Sequence, residues 1–138
     1  WLSIGMFRAG AASPRDEVLL ELALARGRFL ELLGQEKHSK LECDEFFLLG
    51  LLSLLDSLLG LPMSAVVGKL NLLPILAEAL LNSSGPLSRH LMLSIAVEKG
   101  RVQNVVRLAN ELGYSLEAIE AASVEALGWA EEAVNMTK

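Results

Sequence analysis

The sequence predicts an all-α protein of about seven to eight helices. Three observations carry that reading. Helix start and stop signals recur along the chain, apolar residues recur at helical spacing, and no stretch alternates apolar with polar residues in a β-branched-rich run. At 138 residues the length fits one domain.

Ser13-Pro14-Arg15-Asp16 opens the first strong helix. The Ser13 hydroxyl can cap free amides, Pro14 suits the first helical position, and Asp16 and Glu17 favour the positive end of the dipole. This helix is expected to run to Leu33 and end at Gly34, followed by a polar loop from Gln35 to Leu41. Asp44 then starts a helix to Leu59, closed by Gly60 and Pro62. Short helices are expected at Ser64 to Lys69 and Pro74 to Asn82. Pro86 opens the next, which stops at Gly100. Another covers Val102 to Leu112 and ends at Gly113. Ser115 caps the last, which runs to Val134.

The faces predict how these helices pack. Val102, Val105, Val106, Leu108, Ala109 and Leu112 share one side of their helix, the pattern of a one-sided surface helix. The last helix directs Leu116, Ile119, Ala122, Ala126, Trp129, Ala130 and Ala133 inward and a run of glutamates outward. Leucines and phenylalanines cover nearly the whole circumference of Asp44 to Leu59, which predicts a central helix, and Gly50 marks a close crossing.

Composition narrows the function. The net charge is −5 and the pI near 5.0, which disfavours nucleic-acid binding and polybasic membrane docking. With one cysteine there is no internal disulfide framework and no cysteine-built zinc site. Mean hydropathy is high at +0.42, and 31 of the 138 residues are leucine. The charge-free run Phe46 to Leu55 is about half the length that a membrane span needs. The opening Trp1 to Gly10 lacks a basic start followed by an apolar stretch, so a signal peptide is not expected. The excess apolar surface is therefore expected to meet a partner, with self-association expected and a cytoplasmic location. The chain begins at Trp1 rather than Met, and a piece of a longer protein is expected.

Catalytic signals are poor. No P-loop, GxSxG, HExxH or adjacent His-Asp pair occurs, and GxGxxG is absent. His90 lacks companions at ligand spacing and is expected to be a surface or packed histidine. His38 is expected to be solvated. Cys43, at an expected helix start, has a position where thiol pKa can fall, but a packed or idle cysteine is the expectation. No metal and no cofactor is expected. The unusual charge is Asp56, near the end of a helix expected to be buried, where it needs a partner. Arg26 projects among Leu19, Leu22, Leu30 and Leu33, so an Arg26–Asp56 or Arg26–Glu45 pair is expected. Arg28 projects from the polar side near Glu31. The candidate polar network is Arg26, Arg28, Glu31, Asp44, Glu45 and Asp56, in a register or switching role.

Three stretches resemble a known family: ALARGRFLELLG (Ala23 to Gly34), DEFFLLGLLSLLDSLLGLPM (Asp44 to Met63) and EALGWAEEAV (Glu125 to Val134). They are similar to the carboxy-terminal half of HDOD domains, all-helical relatives of the HD metal-dependent phosphohydrolases. The closest branch is the one in which an HDOD domain follows an EAL domain. The opening Trp1-Leu2-Ser3 is similar to a tryptophan-containing helix in the middle of that domain. The resemblance implies an HD-like helical domain, present here in part, across residues 1–138. It implies a regulatory or output module without catalysis, in bacterial cyclic di-GMP signalling. Its partners would be the upstream half of the same domain, an EAL domain, or both. The helices at Trp1 to Ala9 and Asp44 to Leu59 would pack against that upstream half. Glu78-Ala79-Leu80 spells the EAL letters but sits on a short helix without the expected surroundings. The alternative reading is a residual phosphohydrolase using carboxylates and His90 on a metal.

Overall fold

The computed structural model describes residues 14–85 and 87–136, which fold into eight helices with no strand among them. They are α1 (Pro14–Gly34), α2 (Lys40–Leu52), α3 (Leu55–Leu59), α4 (Met63–Leu70), α5 (Pro74–Asn82), α6 (Ser88–Glu98), α7 (Val102–Leu112) and α8 (Leu116–Met136). The all-α prediction holds. The expected Trp1–Ala9 helix, the Ser13 cap and the Pro86 helix start lie outside the described residues.

The long helix α1 is the axis of the fold, with α2 and α8 packed along it. α6 also touches α1 and carries α7, while α4 and α5 pack together at the end of α2. One cluster joins these elements: Phe29, Leu30 and Leu33 of α1, Phe46 and Leu49 of α2, Leu93 of α6, and Ile119, Ala122 and Ala126 of α8. Burial of each large side chain contributes about 2 kcal/mol, so this cluster outweighs every surface ion pair. The buried alanines of α8 let its backbone approach α1 closely, as their spacing predicts.

Two boundaries differ from the sequence expectation. The second helix starts at Lys40, not Asp44. Ser39 is its N-cap, and a capping box closes it: the Ser39 hydroxyl accepts from the Glu42 amide, and the Glu42 carboxylate accepts from the Ser39 amide. The expected helix to Leu59 is also broken in two. At the break the Ser53 hydroxyl donates to the Gly50 carbonyl at 2.7 Å, and Leu54 leaves helical geometry at φ −111° and ψ 0°. A serine that bonds back into its own helix competes with the backbone ladder.

The predicted close crossing at Gly50 is present. A Cβ added to Gly50 would lie 2.5 Å from the Gly27 Cα and amide nitrogen, so α1 and α2 meet backbone to backbone. The prediction of a central helix holds only for the first part of the segment. Cys43, Phe46, Leu49, Gly50 and Leu52 are buried, Leu48 is exposed, and α3 has no buried residue.

The apolar faces of α7 and α8 are likewise incompletely covered. Leu108 and Ala109 are buried, but Val102 and Val106 are exposed. Leu116, expected inside, is also exposed. With Val105, Val124 and Ile119 these side chains line a groove of about 300 Å³ between α7 and α8. No helix of the described residues is long and apolar enough to cross a membrane.

Candidate functional site

Two polar constellations lie on the α1–α2 layer, and a third lies behind them. The first is centred on Arg26, buried at 8% exposure although it carries a charge. Its guanidinium donates to Glu98 through two bonds, Nε to Oε2 at 2.7 Å and Nη2 to Oε1 at 2.6 Å. Nη1 donates to the Ser53 hydroxyl at 2.7 Å, which donates onward to Gly50. A planar guanidinium gripping a carboxylate in this fashion is the strong form of ion pair. It ties α1 to the C-terminus of α6 and to the break after α2.

The expected pairing of Arg26 is therefore corrected. Its carboxylate partner is Glu98, not Asp56 or Glu45. Asp56 instead accepts from the Ser57 amide in its own helix at 2.8 Å, which meets its need locally. Glu45 is half-buried on α2 and takes no part in the Arg26 bonds. The signal for Glu98 was present but unread. A carboxylate in the last turn of a helix faces the negative end of the dipole, so it needs a cation from elsewhere.

The second constellation holds the other three members of the expected network. Arg28, Glu31 and Asp44 line one cleft of about 410 Å³ with Phe47, Leu48 and Trp129. Arg28 Nη1 donates to Glu31 Oε1 at 2.8 Å, and its guanidinium lies over the Trp129 ring, 5.5 Å from the centroid. Phe47 meets Trp129 edge-on with ring centroids 5.9 Å apart. Arg28 Nε is buried with no acceptor. Such orphaned donors are uncommon in native folds. Trp129, expected to point inward, is only half-buried because it forms this wall. Glu31 and Asp44 also line a second cleft of about 330 Å³, with Gln35, His38, Lys40 and Cys43.

The third constellation was missed in the sequence. His90 is buried, its ring 4.5 Å from Phe46 and 5.6 Å from His38. Its Nε2 shares a 3.0 Å hydrogen bond with the Tyr114 hydroxyl, and its Nδ1 has no partner. Burial, with a smaller push from His38, lowers the His90 pKa to about 4. Burial, then the charges of Glu36 and Cys43, raises the Tyr114 hydroxyl to about 12. His38 is not simply solvated, since it stacks edge-on against Phe46 and lies 3.3 Å from the Glu42 carboxylate. Cys43 is packed, as expected, but not at a helix start. It lies inside α2, and burial, then the charges of Glu31, Asp44 and Glu42, raises its thiol pKa. Among the described residues no group of three or more His, Cys, Asp and Glu side chains could hold a metal ion.

The chain is similar to part of a bacterial signalling enzyme. It is 32% identical over 121 residues to the cyclic di-GMP phosphodiesterase CdgJ of Vibrio cholerae. The similarity covers 88% of this chain but 28% of that protein, so the chain spans little more than a quarter of its relative. No family model and no solved structure matches the chain. The matched length takes in the α1–α2 layer and most of the helices that pack on it, since 88% of a 138-residue chain leaves few residues out.

Proposed function

We propose that this chain is a regulatory or output module of a bacterial cyclic di-GMP signalling protein, without catalysis of its own. In this reading it is the carboxy-terminal portion of an HDOD-type helical domain, and it acts in the cytoplasm through helix–helix contact. The observation that carries the reading is the similarity to 28% of a cyclic di-GMP phosphodiesterase. A segment of that size leaves room for a separate catalytic domain in the longer protein. The parent would carry that domain, of EAL type.

The fold supports an interaction role. The groove between α7 and α8 leaves Val102, Val106, Leu116 and Val124 exposed around one apolar depression. Contiguous apolar surface of this kind marks interaction sites. Its occupant in this reading is the upstream half of the same domain. The phosphohydrolase alternative asks His90 to reach a metal. His90 is instead 5% exposed, held by Tyr114 and faced by Phe46.

The test compares cyclic di-GMP turnover by the full-length parent with turnover by a form lacking this segment, with the isolated chain assayed in parallel with Mn²⁺ and Mg²⁺. The expected result is altered turnover on deletion and none by the chain alone. Turnover by the chain that His90→Ala abolishes, or a parent indifferent to the deletion, overturns the reading.

A further inference from the structure

We propose that the cleft between α1, α2 and Trp129 of α8 binds a guanine base, presented on a nucleotide. This rests on the cyclic di-GMP context proposed above and adds a ligand site to it. The cleft volume of about 410 Å³ falls within the range of small-molecule sites, about 300–1,000 Å³. Its walls carry the two things a planar base needs. Phe47 and Trp129 offer aromatic surface, and the Arg28 guanidinium, lying over the Trp129 ring, adds a cation beside it. Glu31 and Asp44 offer acceptors at the rim, with Glu31 Oε1 already engaged by Arg28.

The polar groups select the base. A carboxylate accepts the N1–H and N2–H of guanine side by side. Adenine presents one amino group beside the N1 lone pair, which a carboxylate repels. Uracil offers a single N–H between two carbonyls. On the opposite edge guanine carries two acceptors, O6 and N7, the usual target of arginine. Arg28 lines the same cleft and is the cationic group available to that edge.

The phosphate also has a place. The adjoining cleft of about 330 Å³ shares Glu31 and Asp44 as its wall and adds Lys40 and Gln35. A ribose phosphate leaving the base side would run toward Lys40 and away from the aromatic wall.

The experiment is calorimetric titration of the 138-residue chain with GMP, AMP and cyclic di-GMP. The same titrations are run on Asp44→Asn and Trp129→Leu, with far-UV circular dichroism confirming that each variant is folded. Asp44 is exposed, so its replacement spares the core. The expected result is binding of GMP about tenfold or more tighter than AMP, the worth of one charged hydrogen bond. Asp44→Asn should lose that preference while retaining weak stacking, and Trp129→Leu should weaken both nucleotides. Tighter binding of cyclic di-GMP than GMP identifies the dinucleotide as the source of the base, and the reverse identifies the mononucleotide; either supports the site. Equal binding of GMP and AMP, no binding at all, or a guanine preference that survives Asp44→Asn overturns it. If nucleotides fail to bind while deletion of the segment still alters parental turnover, this site is lost and the regulatory reading stands.

Discussion

Arg26 and Glu98, 72 positions apart in the chain, hold each other through two charge-assisted hydrogen bonds of 2.6 and 2.7 Å. The two partners are not equally hidden. The Arg26 side chain is 8% exposed and the Glu98 side chain 22%. Loss of the carboxylate leaves a buried cation with only Ser53 as partner, whereas loss of the guanidinium leaves a carboxylate that water can partly reach. Glu98→Ala is therefore expected to cost about 3–5 kcal/mol in urea unfolding. The double variant Arg26→Met/Glu98→Leu should recover most of that loss. A double variant as unstable as Glu98→Ala would show that the pair itself, not the orphaned charge, supplies the stability.

His90 sets an acid limit on stability. Its folded pKa of about 4 lies below its ordinary 6.5, so the unfolded chain binds the proton first as pH falls. Stability from this group is complete above pH 6.5 and declines progressively toward pH 4, by about 3 kcal/mol in all. The Tyr114 hydroxyl, raised from 10 to about 12, acts in the opposite direction and removes stability between those values at alkaline pH. Thermal melts of the wild type and of His90→Phe, taken between pH 4 and 7, check the first limit. The variant should show a flatter acid limb, and parallel curves would count against it.

The Gly27–Gly50 crossing gives a position test with an internal contrast. A methyl at position 50 would meet the Gly27 backbone at 2.5 Å, and backbone cannot swing aside. Gly50→Ala should cost about 3 kcal/mol or more. Gly128 on α8 has nothing within 4 Å of the corresponding Cβ, so Gly128→Ala should stabilise by about 0.5–1 kcal/mol through helix propensity. Denaturant midpoints of the two variants should move in opposite directions.

The docking reading of the α7–α8 groove yields a variant that separates binding from folding. Val102 is 70% exposed, so Val102→Glu should change stability by no more than about 0.5 kcal/mol. Its charge would nevertheless sit in the groove. Light scattering of the chain mixed with the upstream half of its domain should show capture by the wild type and loss of capture by the variant. Equal capture by both would remove the groove from the interface.

The fold was largely legible because glycine and proline punctuate the chain. Gly60 and Gly113 end α3 and α7 at φ 68° and 80°, where the expected stops lie. The start of α2 was missed although Ser39 and Glu42 spell a capping box, because the polar run around His38 reads equally as loop. The break at Ser53 could not be read at all. It depends on the Ser53–Gly50 bond and on Arg26, which arrives from another helix. The expected polar network separates in space for the same reason. Helical spacing fixes which side chains share a face, and Arg28 with Glu31 follows from it. It is silent on which distant element meets Arg26, so the need for a cation at Glu98 could not be assigned to Arg26 without tertiary packing.

Cys43 gives the molecule a built-in clock. It is the single cysteine of the chain, 4% exposed, with a thiol held in its unreactive protonated form by burial and by neighbouring carboxylates. An alkylating reagent must wait for this corner of α2 to open before it can react. The labelling rate of the unaltered protein therefore counts those openings. Any ligand that settles in the neighbouring clefts and holds α1 to α2 would slow that count, with no dye or engineered residue attached.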